Sequence, residues 1–409
     1  MRTFKTIIVQ KYGGTSVATP EKIKKAAEHI KDYYEKGYRL LVVVSARGDR
    51  TDELMNLARG VSTDPDSREM DKLLSLGEKE SIALLAMALI AIGVPTISID
   101  AKEAGLETSA IFGKAKIKKL QKRTELLEEI KGRVVVMAGF QGVAESTGDI
   151  TTLGRGGSDA TAVAMAIFLG AKICEIYTDV DGVYAVDPRI VRDAKRFKTI
   201  SYDQMILMAA AGAGVMMDRS VIMARNHRMP VRVLLSPSIR KAGIGTLITD
   251  GGDTNDLEGL TDKGIAIKKN VAVITIEDIP NKSGEVKKIF AAIKSLNVIE
   301  VAQGISDGQN ASISIIAKEK EAQISFPVLK DQLSVMARIY GGLSLLTVID
   351  PTMKEKSGYF LEITALLADK GINIEMITSA QTSLAIAVKS ELLEKTATAL
   401  AKKLELLDG

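Results

Sequence analysis

Short apolar runs alternate with amphipathic stretches along the first 250 residues. The runs at 5–10, 40–45, 95–100, 133–142, 172–177 and 231–235 are rich in Val and Ile and end in turn residues, the pattern of strands buried on both faces. Between them, helical spacing covers 20–36, 70–92, 114–131, 202–211 and 219–226. The stretch 70–92 reads as one long helix, polar at first and then almost wholly apolar. Strands alternating with helices predict an α/β fold built on a mostly parallel sheet covered on both faces. Beyond a polar linker at 249–256 the pattern changes: a strand at 272–276, a helix at 285–296, and strands at 298–305 and 311–317. The order recurs as a helix at 359–370, strands at 372–378 and 383–388, and a final helix from 391. Lys-Ser-Gly opens a helix at Lys282 and again at Lys356, which marks two copies of one small α+β unit. The predicted segments are 1–250, 264–340 and 341–409.

Composition narrows the function classes. A formal charge of +4 is small beside 55 basic and 51 acidic side chains. The lysine-rich stretches at 22–31 and 114–122 include or adjoin acids at helical spacing, so they predict solvated helix faces, and nucleic acid is not expected as a partner. Trp is absent, which removes the best stacking platform for single strands. The single cysteine, Cys174, lies in an apolar stretch and reads as a buried structural thiol in a reducing compartment. The longest apolar run, 82–94, is too short to span a bilayer, and a cytoplasmic protein without a membrane partner is expected.

Three glycines within four positions, Gly154, Gly156 and Gly157, precede Ser158, Asp159 and an apolar helix-forming run. Such a loop lets backbone N–H groups and the helix's positive end surround an anion. Spacing alone fits an ordinary strand-to-helix connection equally well. Arg155 adds a planar cation suited to a carboxylate or phosphate, and Asp159 stands in the helix's first turn, where it can orient a lysine. A second strand ends in Lys11-Tyr12-Gly13-Gly14-Thr15-Ser16, a lysine beside exposed N–H groups that suits a transferring phosphoryl group. Glu78 falls where the long helix turns apolar, pointing either to solvent or into a cleft, and Thr51 or Asp52 would serve as a helix N-cap. A further strand ends in Thr178-Asp179, with Asp181-Gly182 and Tyr184 close behind. No Walker or protein-kinase signature occurs, and His29 and His227 both read as helix-surface residues, so zinc and Ser-His chemistry have nothing to build from. Phosphoryl transfer, where positioning and charge neutralisation dominate, fits what remains.

The runs 11–16, 153–159 and 177–184, with Asp187-Pro188-Arg189, together resemble the aspartate kinase family, collinearly over essentially the whole chain. The resemblance implies a three-layer amino acid kinase fold followed by two ferredoxin-like ACT repeats. It implies phosphorylation of the β-carboxylate of L-aspartate by Mg2+-bound ATP, the first step of lysine, threonine and methionine biosynthesis, under feedback control. Lys11 and Asp159 would be catalytic. Gly13, Gly14, Thr15, Ser16, Thr178, Asp179, Tyr184 and Arg189 would meet ATP. Ser45, Thr51, Glu78, Phe140, Arg155, Gly156, Gly157 and Ser158 would form the aspartate site. Ser283, Gly284, Gln303 and Asn373 would take a lysine or threonine effector, in a homodimer or dimer-based oligomer formed through the ACT repeats. Which residues would meet the metal is left open. Two departures stand out: Gly214 replaces a lysine expected at the nucleotide, and Ser283 replaces a usual proline. The first keeps open a weakly active or non-catalytic amino-acid-sensing relative.

Overall fold

The computed structural model describes residues 6–237, 239, 243–251, 263–305, 308–333 and 336–408. Most of the expected linker at 249–256 lies outside these residues. The chain forms two compact units: 1–183 with 196–210 and 214–259, and 184–195 with 211–213 and 260–409.

In the first unit, β1 (Ile7–Tyr12), α1 (Pro20–Glu35), β2 (Arg39–Val44), α2 (Arg50–Val61), α3 (Ser67–Leu74), α4 (Leu76–Ala91), β3 (Thr96–Ile99) and the short α5 (Ala101–Ala104) come first. Next come β4 (Leu106–Thr108), β5 (Ile117–Leu120), α6 (Arg123–Gly132), β6 (Val134–Ala138), β7 (Gln141–Ala144), β8 (Ile150–Thr152) and α7 (Gly157–Leu169). Then follow β9 (Ile173–Thr178), β10 (Thr199–Ser201), α8 (Tyr202–Ala211), α9 (Asp218–Asn226), β11 (Val231–Leu235) and β12 (Thr246–Thr249). The main sheet runs β10-β12-β11-β9-β1-β2-β6-β3, parallel throughout except where β11 meets β12. A four-stranded sheet, β5-β4-β7-β8, stands beside it. Val and Ile on both faces of β1, β2 and β6 are buried, which is why these strands read as unbroken apolar runs. The core joins Tyr12, Leu40 and Val136 to Ile30 of α1 and Leu85 and Leu89 of α4.

Four expectations need correction. The stretch 70–92 is two helices, broken at Ser75, whose hydroxyl donates to Lys72 O and whose carbonyl accepts from Gln141 Nε2 at 3.1 Å. The stretch 114–131 begins as strand β5, with Lys118 and Lys119 paired to Glu145 and Glu107, before α6 starts at Arg123. The run at 133–142 splits at Gly139-Phe140, where Phe140 adopts φ 68°. His29 is no surface residue: it turns toward the sheet, with Nε2 2.9 Å from the Tyr177 hydroxyl, and burial lowers its pKa to about 4. Cys174 is fully buried, as expected, and desolvation raises its pKa.

In the second unit, β13 (Gly264–Pro280), α10 (Glu285–Ala292), β14 (Val298–Ile305), β15 (Asn310–Lys318), α11 (Glu319–Leu333) and β16 (Met336–Ile349) precede α12 (Tyr359–Asp369), β17 (Met376–Ser379), β18 (Ser383–Lys389) and α13 (Leu393–Lys403). The strands form one antiparallel sheet, β14-β15-β13-β16-β18-β17. The position 340/341 falls within continuous β16, and the long β13 pairs with β16 along both halves of the sheet. Residues 184–195 join this unit through Ile265 N to Ala185 O at 2.7 Å and Lys195 N to Leu406 O at 2.8 Å.

Candidate active site

The carboxyl ends of β1, β2, β6 and β9 lie side by side, the edge at which parallel α/β sheets collect ligands. Lys11, near the tip of β1, is nearly buried and meets Asp159 of α7 with Nζ 2.7 Å from Oδ1. Asp159 is the third residue of α7, so helix geometry aims its carboxylate back over the helix start, at the lysine. The contact is electrostatic rather than a well-aligned hydrogen bond.

The turn Gly14–Val17 follows β1. The Gly13 N–H, expected at the phosphates, instead donates to Tyr177 O at 3.1 Å. Ser16 N donates back to Gly13 O, which leaves the Gly14 and Thr15 N–H groups outside the turn's ladder. Gly14 is required where it stands, since a Cβ there would come within 2.6 Å of Ala46 O. Ser16 is buried and its hydroxyl finds no partner among the described residues. Ser45 directly follows β2 and donates its N–H to Tyr12 O. At the end of β9, Thr178 Oγ1 donates to Asp179 Oδ1 at 3.1 Å.

Glu78 points into the protein. It is 3 % exposed, and Oε1 accepts from Ala46 N at 3.0 Å. Oε2 is buried with no partner among the described residues. Desolvation raises its pKa to about 8 against the opposing pull of the Ala46 N–H. Gly77 makes this possible: a Cβ there would stand 2.7 Å from the Ala46 methyl. Gly139 lies against Ser158 in the same way, and Phe140 fills the space beside Gly157. Phe140 keeps its left-handed backbone by donating N–H to Thr161 Oγ1 and accepting from Leu153 N. Gly156 caps α7 at φ 66°, and Met217 occupies the space a Cβ would need. Arg155 stands exposed at the loop's crest with no hydrogen bond or ion pair among the described residues.

The structure therefore brings together Lys11, Asp159, Gly14, Ser45, Glu78, Phe140, Gly156, Gly157 and Ser158. Thr51 is the second residue of α2, half-buried, and no hydrogen bond ties it to this group; neither it nor Asp52 is the N-cap, a position held by Asp49. Tyr184 and Arg189 belong to the other compact unit, where Arg189 pairs with Asp187 at 2.8 Å. Ser283 and Gly284 open α10, Gln303 is exposed on edge strand β14, and Asn373, just before β17, donates to Glu375. Sequence reasoning missed Asp71, Thr152 and Thr161, whose polar side chains are buried here. An acid or hydroxyl within a helical or strand pattern gives no sign of which face it takes.

Gly214 adopts φ 69°, so the lysine it replaces would be strained in this backbone. Arg219 and Arg225, the next cations along the chain, are engaged elsewhere: Arg219 donates to Leu153 O at 3.2 Å and Ala115 O at 2.9 Å, and Arg225 pairs with Asp203. Gly214→Lys is expected to lower the thermal midpoint by an amount equivalent to about 1 kcal/mol without raising turnover. Calorimetric melting alongside steady-state kinetics checks this, and faster turnover would show that the missing cation limits the enzyme.

A parallel sheet with a buried lysine–aspartate pair between glycine loops defines an amino acid kinase, and the model of the amino acid kinase family matches residues 6–234. An ACT domain model matches residues 346–404. The chain is 38% identical to an aspartokinase of Mycolicibacterium smegmatis, covering 96% of this chain and 95% of that one. It is 39% identical to an aspartokinase of Geobacillus stearothermophilus, covering 91% and 90%. In structure it is similar to Escherichia coli aspartokinase III in complex with aspartate and ADP, at a TM-score of 0.77 and 24% identity over 98% of this chain and all of that one. This chain belongs to the aspartokinase family. Among the described residues no helix is long and apolar enough to cross a membrane.

Proposed function

We propose that this chain transfers the γ-phosphoryl group of Mg-ATP to the β-carboxylate of L-aspartate, giving 4-phospho-L-aspartate and ADP. The observation that carries the reading is Glu78 Oε2, a buried oxygen without a partner among the described residues, which an α-ammonium would satisfy. Arg155, exposed at the loop crest and unpaired among the described residues, supplies the cation for the substrate's α-carboxylate. In the reaction a β-carboxylate oxygen forms a bond to the γ-phosphorus as the bond to the β,γ-bridging oxygen breaks. Asp carboxylates are ionised at neutral pH, so no general base is needed. Lys11 neutralises charge on the moving phosphoryl group, and Asp159 holds the lysine in place. The Gly14 and Thr15 N–H groups face the phosphates, with Thr178 and Asp179 on the nucleotide side. Mg2+ enters with ATP as part of the substrate. Activity with ATP and aspartate in a coupled assay, and none with glutamate or acetylglutamate, is the expected result; the reverse preference overturns the reading.

The segment 1–250 is read as the kinase, and 264–340 and 341–409 as ACT repeats that regulate it in a lysine or threonine biosynthetic route. Escherichia coli aspartokinase III has been solved with lysine and aspartate, which supports an amino-acid effector here. The edge strands β14 and β17 leave ladder groups for a second copy, so a dimer is proposed. Lysine or threonine is expected to raise the thermal midpoint and slow turnover; indifference to both, singly and together, overturns the regulatory reading.

A further inference from the structure

Two charged residues of opposite sign grip the same pair of backbone segments. Asp71 of α3 is 1 % exposed and meets no cation among the described residues. Its carboxylate accepts from Gly113 N at 2.9 and 3.1 Å, from Thr152 N at 2.7 Å and from Thr152 Oγ1 at 2.7 Å. Arg219 of α9 takes the acceptors next door, Ala115 O at 2.9 Å and Leu153 O at 3.2 Å. One residue therefore takes N–H groups and the other C=O groups of segments 113–115 and 152–153, which also pair directly through Ala115 N and Thr152 O at 3.0 Å. Burying a charge without an ion partner is costly, and fixed peptide dipoles offset that cost only while both segments hold their positions. The segments run straight into Gly154, which packs against Gly113 O, and on to Arg155 and the start of α7. From the other side, α3 leads within seven residues to Glu78.

We infer that Asp71 and Arg219 are a positioning pair that fixes the glycine loop carrying Arg155 relative to Glu78, and so sets the spacing at which the substrate's ammonium and carboxylate are bound. The inference rests on the aspartate reading of Glu78 and Arg155. A clamp that only holds the fold together would lower stability and leave the two substrates equally affected. A positioning pair acts on aspartate, because the nucleotide side at Thr178 and Asp179 lies on another strand end.

The test uses the full chain and measures KM for aspartate, KM for ATP, kcat and the thermal midpoint for each variant. Asp71→Asn and Arg219→Gln are expected to raise KM for aspartate about tenfold and to change KM for ATP less than about twofold. Their double variant is expected to be no worse than about the poorer single one, because both act on one loop. Thr152→Val removes only the hydroxyl bond to Asp71 and preserves side-chain shape; it should move KM for aspartate the same way, and Thr152→Ser should restore it. Thr152→Val also decides the matter if Asp71→Asn does not fold. Parallel shifts in both KM values, or a lowered thermal midpoint with unchanged KM for aspartate, overturn the inference. Glu78→Gln and Arg155→Ala run beside these: if they raise KM for aspartate and the clamp variants do not, only the positioning role fails. If they do not, the aspartate reading itself fails.

Discussion

Lys11→Ala is expected to lower kcat by about 10²-fold or more, the usual cost of removing a group aimed at transition-state charge. The same change is expected to weaken the fold. Lys11 is buried at the end of a central strand, and Asp159, only 7 % exposed, loses its 2.7 Å partner when the ammonium goes. Breaking one side of a buried pair leaves an uncompensated charge, worth about 3–5 kcal/mol at the upper end. Adding Asp159→Asn removes that charge, so the double variant should recover much of the lost thermal midpoint while staying inactive. Coupled kinetics and calorimetric melting of the two variants separate the catalytic cation from the structural one. Normal turnover in Lys11→Ala would mean that the phosphate cradle lies elsewhere, and an active double variant would remove Asp159 from the mechanism.

The strands of the first sheet were readable because parallel strands bury both faces and show as plain apolar runs; β11 was placed residue for residue at Val231–Leu235. So was β14 at Val298–Ile305, although it is an edge strand with no fully buried residue rather than a core strand. The failures occur where tertiary hydrogen bonds override local pattern. Nothing near Ser75 breaks the helical spacing of 70–92; the break accompanies Gln141, more than sixty residues away, taking the Ser75 carbonyl. Likewise the lysines of β5 carry helix-like charge spacing, but strand pairing with β4 sets their geometry. At the site, the glycines were legible since loops that approach other backbones this closely tolerate nothing larger. That Gly13 would spend its N–H on Tyr177, or that Asp71 would turn inward, depends on which strands become neighbours. Helical spacing does not record that.

Glu78→Gln is expected to stabilise the empty protein at alkaline pH and to cripple aspartate binding. In the unfolded chain this carboxyl titrates near its ordinary 4.5; in the fold, desolvation raises it to about 8. Between those values the folded state holds a proton that the unfolded chain has released, so stability falls as pH rises. The contribution is complete below the unfolded value and is lost by the time pH passes the folded one. Glutamine is fixed in the neutral form, so the variant lacks this slope, and its thermal midpoint should overtake the parent's between about pH 5 and about pH 9. Aspartate reverses the preference. An ammonium against Oε2 favours the ionised carboxylate, so binding below pH 8 releases a proton and KM for aspartate falls as pH rises toward that value. The variant should show KM for aspartate raised by about 10²-fold, in keeping with losing one partner of a buried charge pair, with KM for ATP little changed. Titration calorimetry in two buffers of different ionisation enthalpy reads the proton directly: the parent should release one on binding aspartate and the variant none. Identical proton release in both would detach Glu78 from the ammonium, and a parent whose aspartate KM ignores pH would show that Glu78 is already ionised in the empty site.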